Sequence, residues 1–219
     1  MVKMVVFDLD GTLINSLTDL AISVNYGLKL NGLEEKPVKN YTTYVGNGRE
    51  MLIRRAMGDA WTDHELFEKV KADYDRHYAV HCNDHTAAYD GCAEMLEKLA
   101  QKGIKTGVLS NKPDEFVDKM LKKAFPNHKF TQAWGQKPQY KTKPEPDALL
   151  ALLKMSGVTP EECFYVGDSD VDVYTANNAG IRMAGVSWGF RGKKELTNAG
   201  APFVADTAEE LFDYICKFI

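Results

Sequence analysis

Asp8 and Asp10 stand two positions apart, directly behind the apolar run Val5-Val6-Phe7. If that run is a strand, its period of two aims both carboxylates to one side. Carboxylates held this close repel unless a cation or a shared proton relieves them. Gly11 permits a sharp exit that lets backbone amides approach a phosphate, and Thr12 adds a hydroxyl. A second acidic cluster, Gly167-Asp168-Ser169-Asp170-Val171-Asp172, follows the apolar run 163–166. If the two strands are sheet neighbours, Asp168 lies beside Asp8, and together they offer Mg²⁺ the hard oxygen ligands it prefers. Acids also suit the first turn of a helix for its dipole alone, which is the reading of Asp170, whereas Asp172 is a candidate for the site.

Ser110 closes a third apolar run, 104–109, and Asn111-Lys112-Pro113 is expected to open the next helix. A hydroxyl and free amides at a helix start would seat a phosphate, although a plain N-cap serine looks the same. Lys143, in Lys143-Pro144-Glu145-Pro146, could bring an ammonium to that phosphate. Lys137 and Lys141 are rivals that spacing alone does not separate.

Such groups need elements to hold them. The runs 163–166, 183–186 and 203–205, with those before Asp8 and Ser110, are short and apolar, as strands covered on both faces are. Helical periods lie between them: Met95, Leu96 and Leu99; Phe116, Val117, Met120 and Leu121; Leu149, Leu150 and Leu153. Gly103 and Gly157 stand where left-handed C-terminal caps are wanted. This alternation predicts an α/β fold with an open, doubly wound, mostly parallel sheet, and such sheets bind ligands at their strand carboxyl ends.

Residues 16–85 break the alternation. They read as helical, with Thr62-Asp63-His64-Glu65 as a capping-box start and Leu66, Val70, Tyr74 and Tyr78 at helical spacing after it. The segment predicts a helical cap, residues 16–85, inserted into a core of residues 1–15 and 86–219, with hinges near 14–18 and 84–90. A chain of 219 residues, at about 150 per domain, fits one domain with an insertion.

The charge balance of 27 basic and 31 acidic residues, net −4, excludes bulk attraction to nucleic acid or an anionic membrane. Cys82, Cys92, Cys163 and Cys216 form no CxxC pair and read as free thiols in a reducing cytoplasm. Met1 to Phe7 is too short, and too close to Asp8 and Asp10, for a signal-peptide core, and no apolar run suits a membrane span. The expectation is a soluble cytoplasmic protein, monomer or homodimer.

With Asp8-Leu9-Asp10-Gly11-Thr12, Ser110, Lys143-Pro144 and Gly167-Asp168 in that order, the sequence resembles the haloacid dehalogenase superfamily of Mg²⁺-dependent phosphohydrolases, whose core is Rossmann-like. The resemblance implies that Asp8 is the nucleophile and Asp10 the general acid and base. It implies Mg²⁺ on Asp8, the Asp10 backbone carbonyl and Asp168, with Asp172 in support. It implies that Thr12, Ser110, Asn111 and Lys143 hold the phosphate, and its lysine commonly precedes proline, which selects Lys143. Within the superfamily the chain is similar to the phosphoglycolate phosphatase group. Val45-Gly46-Asn47-Gly48-Arg49 looks like the cap loop with which that group closes over its substrate, and Ser187-Trp188-Gly189-Phe190 looks similar too. The implied partner is a small phosphorylated metabolite.

A sugar-phosphate mutase or a pyrophosphatase on the same scaffold is the alternative. The non-enzyme alternative is a receiver-type module switched by phosphorylation, which is shorter and lacks the insertion. His77, His81 and His85 repeat every four residues after Asp73, yet Asn83-Asp84 suggest that the helix ends first, so a zinc site is disfavoured. Lys119, Lys122 and Lys123 read as a solvated helix face, and Trp134 and Trp188 as packing anchors.

Overall fold

The computed structural model describes residues 1–219. Its main sheet has the order β5-β4-β1-β6-β7-β8: Gln132–Gln136, Lys105–Pro113, Met4–Phe7, Cys163–Gly167, Arg182–Val186 and Val204–Ala205. Every neighbouring pair is parallel. β1 is buried throughout, and its alternation sends Val5 and Phe7 into one apolar cluster and Met4 and Val6 into another. Helices therefore cover both faces. α5 (Cys92–Gln101), α6 (Asp114–Ala124) and α10 (Ala208–Cys216) pack on the first; α7 (Asp147–Ser156), α8 (Asp170–Ala179) and α9 (Gly192–Ala199) pack on the second.

β5 is the strand that the apolar runs missed. Gln132, Gly135 and Gln136 interrupt its hydrophobicity, which an edge strand tolerates because only one side is paired. β4 also runs further than expected. Asn111-Lys112-Pro113 does not open a helix: the strand continues through Ser110, with a register shift between Leu109 and Pro113, and α6 begins at Asp114. Ser110 is accordingly no N-cap.

Between β1 and α5 lie the helices α1 (Leu17–Leu30), α2 (Tyr41–Tyr44), α3 (Arg49–Met57) and α4 (His64–His81). The N-cap of α4 is Asp63, whose carboxylate accepts the Leu66 N–H, and not Thr62, whose hydroxyl donates to Asp59. Two short antiparallel strands, β2 (Ile14–Asn15) and β3 (Ala87–Ala88), pair where the chain leaves and re-enters the core. Asp19, buried at the start of α1, clamps this crossing: its carboxylate accepts the N–H and ring Nδ1 of His85 and the N–H and hydroxyl of Thr86. The apolar cluster on one sheet face continues into the insertion through Leu20, Leu52, Tyr74 and Tyr78, so the two parts share a core.

All four cysteines are free. No helix is long and apolar enough to cross a membrane. His77, His81 and His85 line one pocket, with the His77 and His81 rings 4.3 Å apart, but their Nδ1 atoms face Ser23, Asp84 and Asp19 in turn, and α4 ends before His85. Lys119, Lys122 and Lys123 are exposed, but Lys119 and Lys123 reach the carbonyls of Ala79 and Asn83 at the end of α4, where a cation suits the helix dipole. Trp134 stacks on Tyr140 and is buried.

Candidate active site

β1 and β6 are neighbours, with Phe7 beside Val166, so their carboxyl ends deliver Asp8 and Asp168 to the same place. Carboxylate oxygens of Asp8, Asp168 and Asp172 lie within 4.8 Å of one another, and all three residues are buried. Gly11 makes that approach possible. Its φ is +91°, and a Cβ there would stand 2.3 Å from Asp168 Oδ2, so no other residue fits.

Lys143 holds the cluster together. Its Nζ lies 2.9 Å from Asp8 Oδ1, 2.7 Å from Asp172 Oδ1 and 3.2 Å from the Tyr165 hydroxyl. Three donors thus meet three acceptors, and the Tyr165 hydroxyl in turn donates to Asp172 at 3.0 Å. The other Asp172 oxygen accepts the N–H and hydroxyl of Ser169. Asp172 therefore serves both readings at once, closing the capping box of α8 and fixing Lys143. Asp170 lies in the first turn of α8, and Ser169 is the cap. Of the rival lysines, Lys137 pairs with Asp114 and Lys141 is exposed.

Burial, opposed by Lys143 and reinforced by Asp172 and Asp10, pushes the Asp8 carboxyl up to about 7. Asp168 is also raised well above the usual carboxylate range, by burial first and then by Asp172 and Asp8. For Lys143, burial acts downward, but Asp172 and Asp8 outweigh it and hold the ammonium above its ordinary value. The donor set fits a hard divalent cation. Asp172 is spent on Lys143, Tyr165 and Ser169, whereas Asp8 and Asp168 keep free lone pairs, and both are costly to ionise without a cation. The turn's backbone bonds join Gly11 N–H to Ile14 O and Ile14 N–H to Leu9 O, which leaves the Asp10 carbonyl outside the ladder.

The Asp10 side chain points elsewhere, into a cavity between core and insertion. Lys112 Nζ stands 3.0 Å from each of its oxygens, and Ser16 donates to Oδ1. Asp8, Ser110 and Lys112 form the core wall; Gly46, Gly48, Arg49 and Tyr74 face them from the insertion. The inserted loop is docked on the core, with the Gly46 carbonyl accepting from Asn111 Nδ2 at 3.1 Å and the Val45 carbonyl from Arg191 at 2.9 Å.

Three expected groups sit differently from their sequence reading. The Thr12 hydroxyl turns to Asp168 at 3.4 Å and is not in the cavity lining. The Asn111 side chain bonds the Lys143 backbone on both sides and the inserted loop, which makes it a brace with no free donor for a phosphate. Asn47 accepts from Arg55 and faces away from the cavity that its neighbours Gly46, Gly48 and Arg49 line. Trp188 is half-buried and donates its indole N–H to the Thr12 carbonyl, and Phe190 N–H donates to Asp168 at 2.7 Å, so this loop braces the acidic cluster.

Lys112, Ser16, Tyr165 and Arg191 were not read from sequence as site residues. For Lys112 a signal existed: two positions after Ser110 on an extended chain, it shares the face of that serine.

The family profile described as haloacid dehalogenase-like hydrolase matches residues 5–186. A protein of Pseudomonas savastanoi pv. phaseolicola named phosphoglycolate phosphatase is 32% identical over 213 residues, covering 95% of this chain and 78% of that one. One of the same name from Mannheimia succiniciproducens is 31% identical over 220 residues, covering 97% and 98%. Among solved structures, a candidate phosphoglycolate phosphatase of Lactobacillus delbrueckii subsp. bulgaricus superposes with a TM-score of 0.92 at 31% identity, covering 97% of this chain and 98% of that one.

Proposed function

The chain belongs to the haloacid dehalogenase-like hydrolase family as a phosphatase of that type, and from that premise we propose that it cleaves a small phosphate monoester through a phosphorylated Asp8, with Mg²⁺ bound. The observation that carries the reading is the placement of Lys143, which touches Asp8 and Asp172 at once in a buried corner of the site. An Asp8 oxygen attacks phosphorus, and the bond to the ester oxygen breaks. Asp10, at the cavity wall, gives its proton to that oxygen, then takes one from the water that attacks phosphorus and frees Asp8. Asp8, Asp168 and the Asp10 carbonyl would hold Mg²⁺, whose charge offsets that of the phosphate and lets an anion attack an anion. Lys143 and Ser110 stabilise the transferring oxygens.

The insertion acts as the cap. Its docked loop must lift from Asn111 and Arg191 to admit substrate, and its return excludes bulk water. The names of the relatives favour phosphoglycolate.

A turnover screen with Mg²⁺ across phosphoglycolate, sugar phosphates, nucleotides and pyrophosphate tests the reading. Phosphoglycolate is expected to show the highest kcat/KM, and a chelator to stop turnover until Mg²⁺ is restored. Full activity in excess chelator would remove the metal from the scheme. Preference for pyrophosphate, or isomerisation of a sugar phosphate without release of phosphate, would replace the monoesterase by the alternative chemistries.

A further inference from the structure

Lys112 has no part in the chemistry above, yet its ammonium lies on the wall that the reacting groups share. Lysine is seldom buried without a reason, and this side chain is almost fully enclosed. Its surroundings are a carboxylate and an aromatic face: Asp10 at 3.0 Å through both oxygens, and the Tyr78 ring of α4 with its centroid 5.0 Å away. Both it and Ser110 line the cavity, two positions apart on β4.

We propose that Lys112 reads a carboxylate on the leaving group, so that the substrate is a short phosphorylated hydroxy acid whose carboxylate replaces Asp10 as the partner of this ammonium. The proposal rests on the reading of the protein as a phosphatase that uses Asp10 for proton transfer. Three observations carry it. The ammonium already donates to both oxygens of a carboxylate, so the site has the charge that such a group needs. Lys112 engages both Asp10 oxygens and Ser16 takes a further lone pair, so Asp10 reaches the ester oxygen more freely once the ammonium turns to another carboxylate. A buried ammonium left alone would be costly, and a carboxylate on the substrate supplies the substitute.

The remaining cation of the lining is committed elsewhere. Arg49 grips both oxygens of Asp75 at 3.0 and 2.9 Å, within the insertion. Leu20, Val45 and Leu52 offer a carboxylate no polar partner. Substrate binding and release of the proton-transfer group thus become one event: an ester without a carboxylate leaves Asp10 engaged.

The test compares 2-phosphoglycolate with 2-hydroxyethyl phosphate, which replaces the carboxylate by a neutral alcohol, on the wild type, Lys112→Gln and Lys112→Arg. The wild type is expected to favour phosphoglycolate by at least 100-fold in kcat/KM. Lys112→Gln should shrink that ratio at least 30-fold, and Lys112→Arg should restore most of it. Equal losses on both esters in Lys112→Gln would show that the lysine only positions Asp10, and would overturn the proposal. A wild type with no preference between the esters would overturn it while leaving the phosphatase reading intact. A wild type that hydrolyses neither these nor any other phosphate ester would overturn both.

Inhibition of the wild type gives a second measurement that needs no folded variant. 3-Phosphonopropionate should inhibit at least tenfold more tightly than propylphosphonate, which lacks the carboxylate. Equal inhibition would refute the subsite.

Discussion

On the core wall of the cavity Lys143 meets Asp8, Asp172 and Tyr165, all buried, whereas on the insertion wall Arg49 meets only Asp75, and both of those are about one-third exposed. The difference reflects what each wall is free to do. The core groups stand on β1, β4 and β6, at the start of α8 and, for Lys143, in the turn before α7, held by a shared sheet and a closed hydrogen-bond network. The insertion groups stand on α3 and the loop before it, tied to the core chiefly by backbone carbonyls at Gly46, Val45 and Thr43. A site that must hold charge in place and also open to substrate needs one rigid wall and one that detaches.

The comparison is tested most severely on the rigid side. Asp8→Asn keeps the shape of the side chain and removes the nucleophile, so turnover should fall on the order of 10⁴-fold on every substrate. Circular dichroism and the melting transition should stay those of a folded protein. Activity within tenfold of wild type would displace Asp8 from its role and dissolve the distinction between the walls.

Intermediate effects belong to the detachable wall. Gly48 precedes α3 with φ of +83°, and a Cβ there would lie 3.4 Å from the Asn111 carbonyl, so Gly48→Val strains the loop and presses it off the core. Arg49→Ala removes the Asp75 pair and opens the cavity. Each should lower kcat/KM for the preferred substrate by about 10- to 100-fold while changing a generic aryl phosphate much less. Losses of equal size on all substrates would mean that this wall carries the chemistry too.

The same division explains what could be read before the structure was known. β1 and β6 announce themselves because strands buried on both faces must be apolar, and the acids that follow them are then placed by the chain itself. β5 escaped notice because an edge strand permits Gln132 and Gln136. The end of β4 escaped for a different reason. Ser110, Asn111 and Lys112 are polar and buried, and their partners lie far along the chain: Lys112 reaches Asp10 across 102 positions and Asn111 reaches Gly46 across 65. A polar strand supported only by distant partners resembles a loop. The helices of the insertion were legible from their apolar spacing, but the contacts that dock its loop use main-chain carbonyls, which carry no residue signature. Asn47 illustrates this: its place beside Gly46 and Gly48 suggested the cavity, yet its amide oxygen turns to Arg55.

The smallest expected effect is thermal, and it separates the walls without any substrate. In the metal-free protein Asp8 holds its proton up to about 7, whereas the unfolded chain releases it near 3.8. Between those values the native state binds more protons than the unfolded state, so stability falls as pH rises from about 4 to about 7. Asp168, raised for the same reason, acts in the same direction. The raised Lys143 does not oppose this, because its contribution is complete below the unfolded lysine value of 10.5 and is lost only above it. Without Mg²⁺ the Tm should therefore drop by a few degrees from pH 5 to pH 7.5. Saturating Mg²⁺ should flatten the slope by giving the charged carboxylates a partner, and Asp8→Asn should reduce it in the metal-free protein. Asp75→Asn, on the detachable wall, should leave the slope as it is. A metal-free Tm that rises across this interval, or a slope that follows Asp75 instead of Asp8, would show that the buried acids are not the strained part of the molecule.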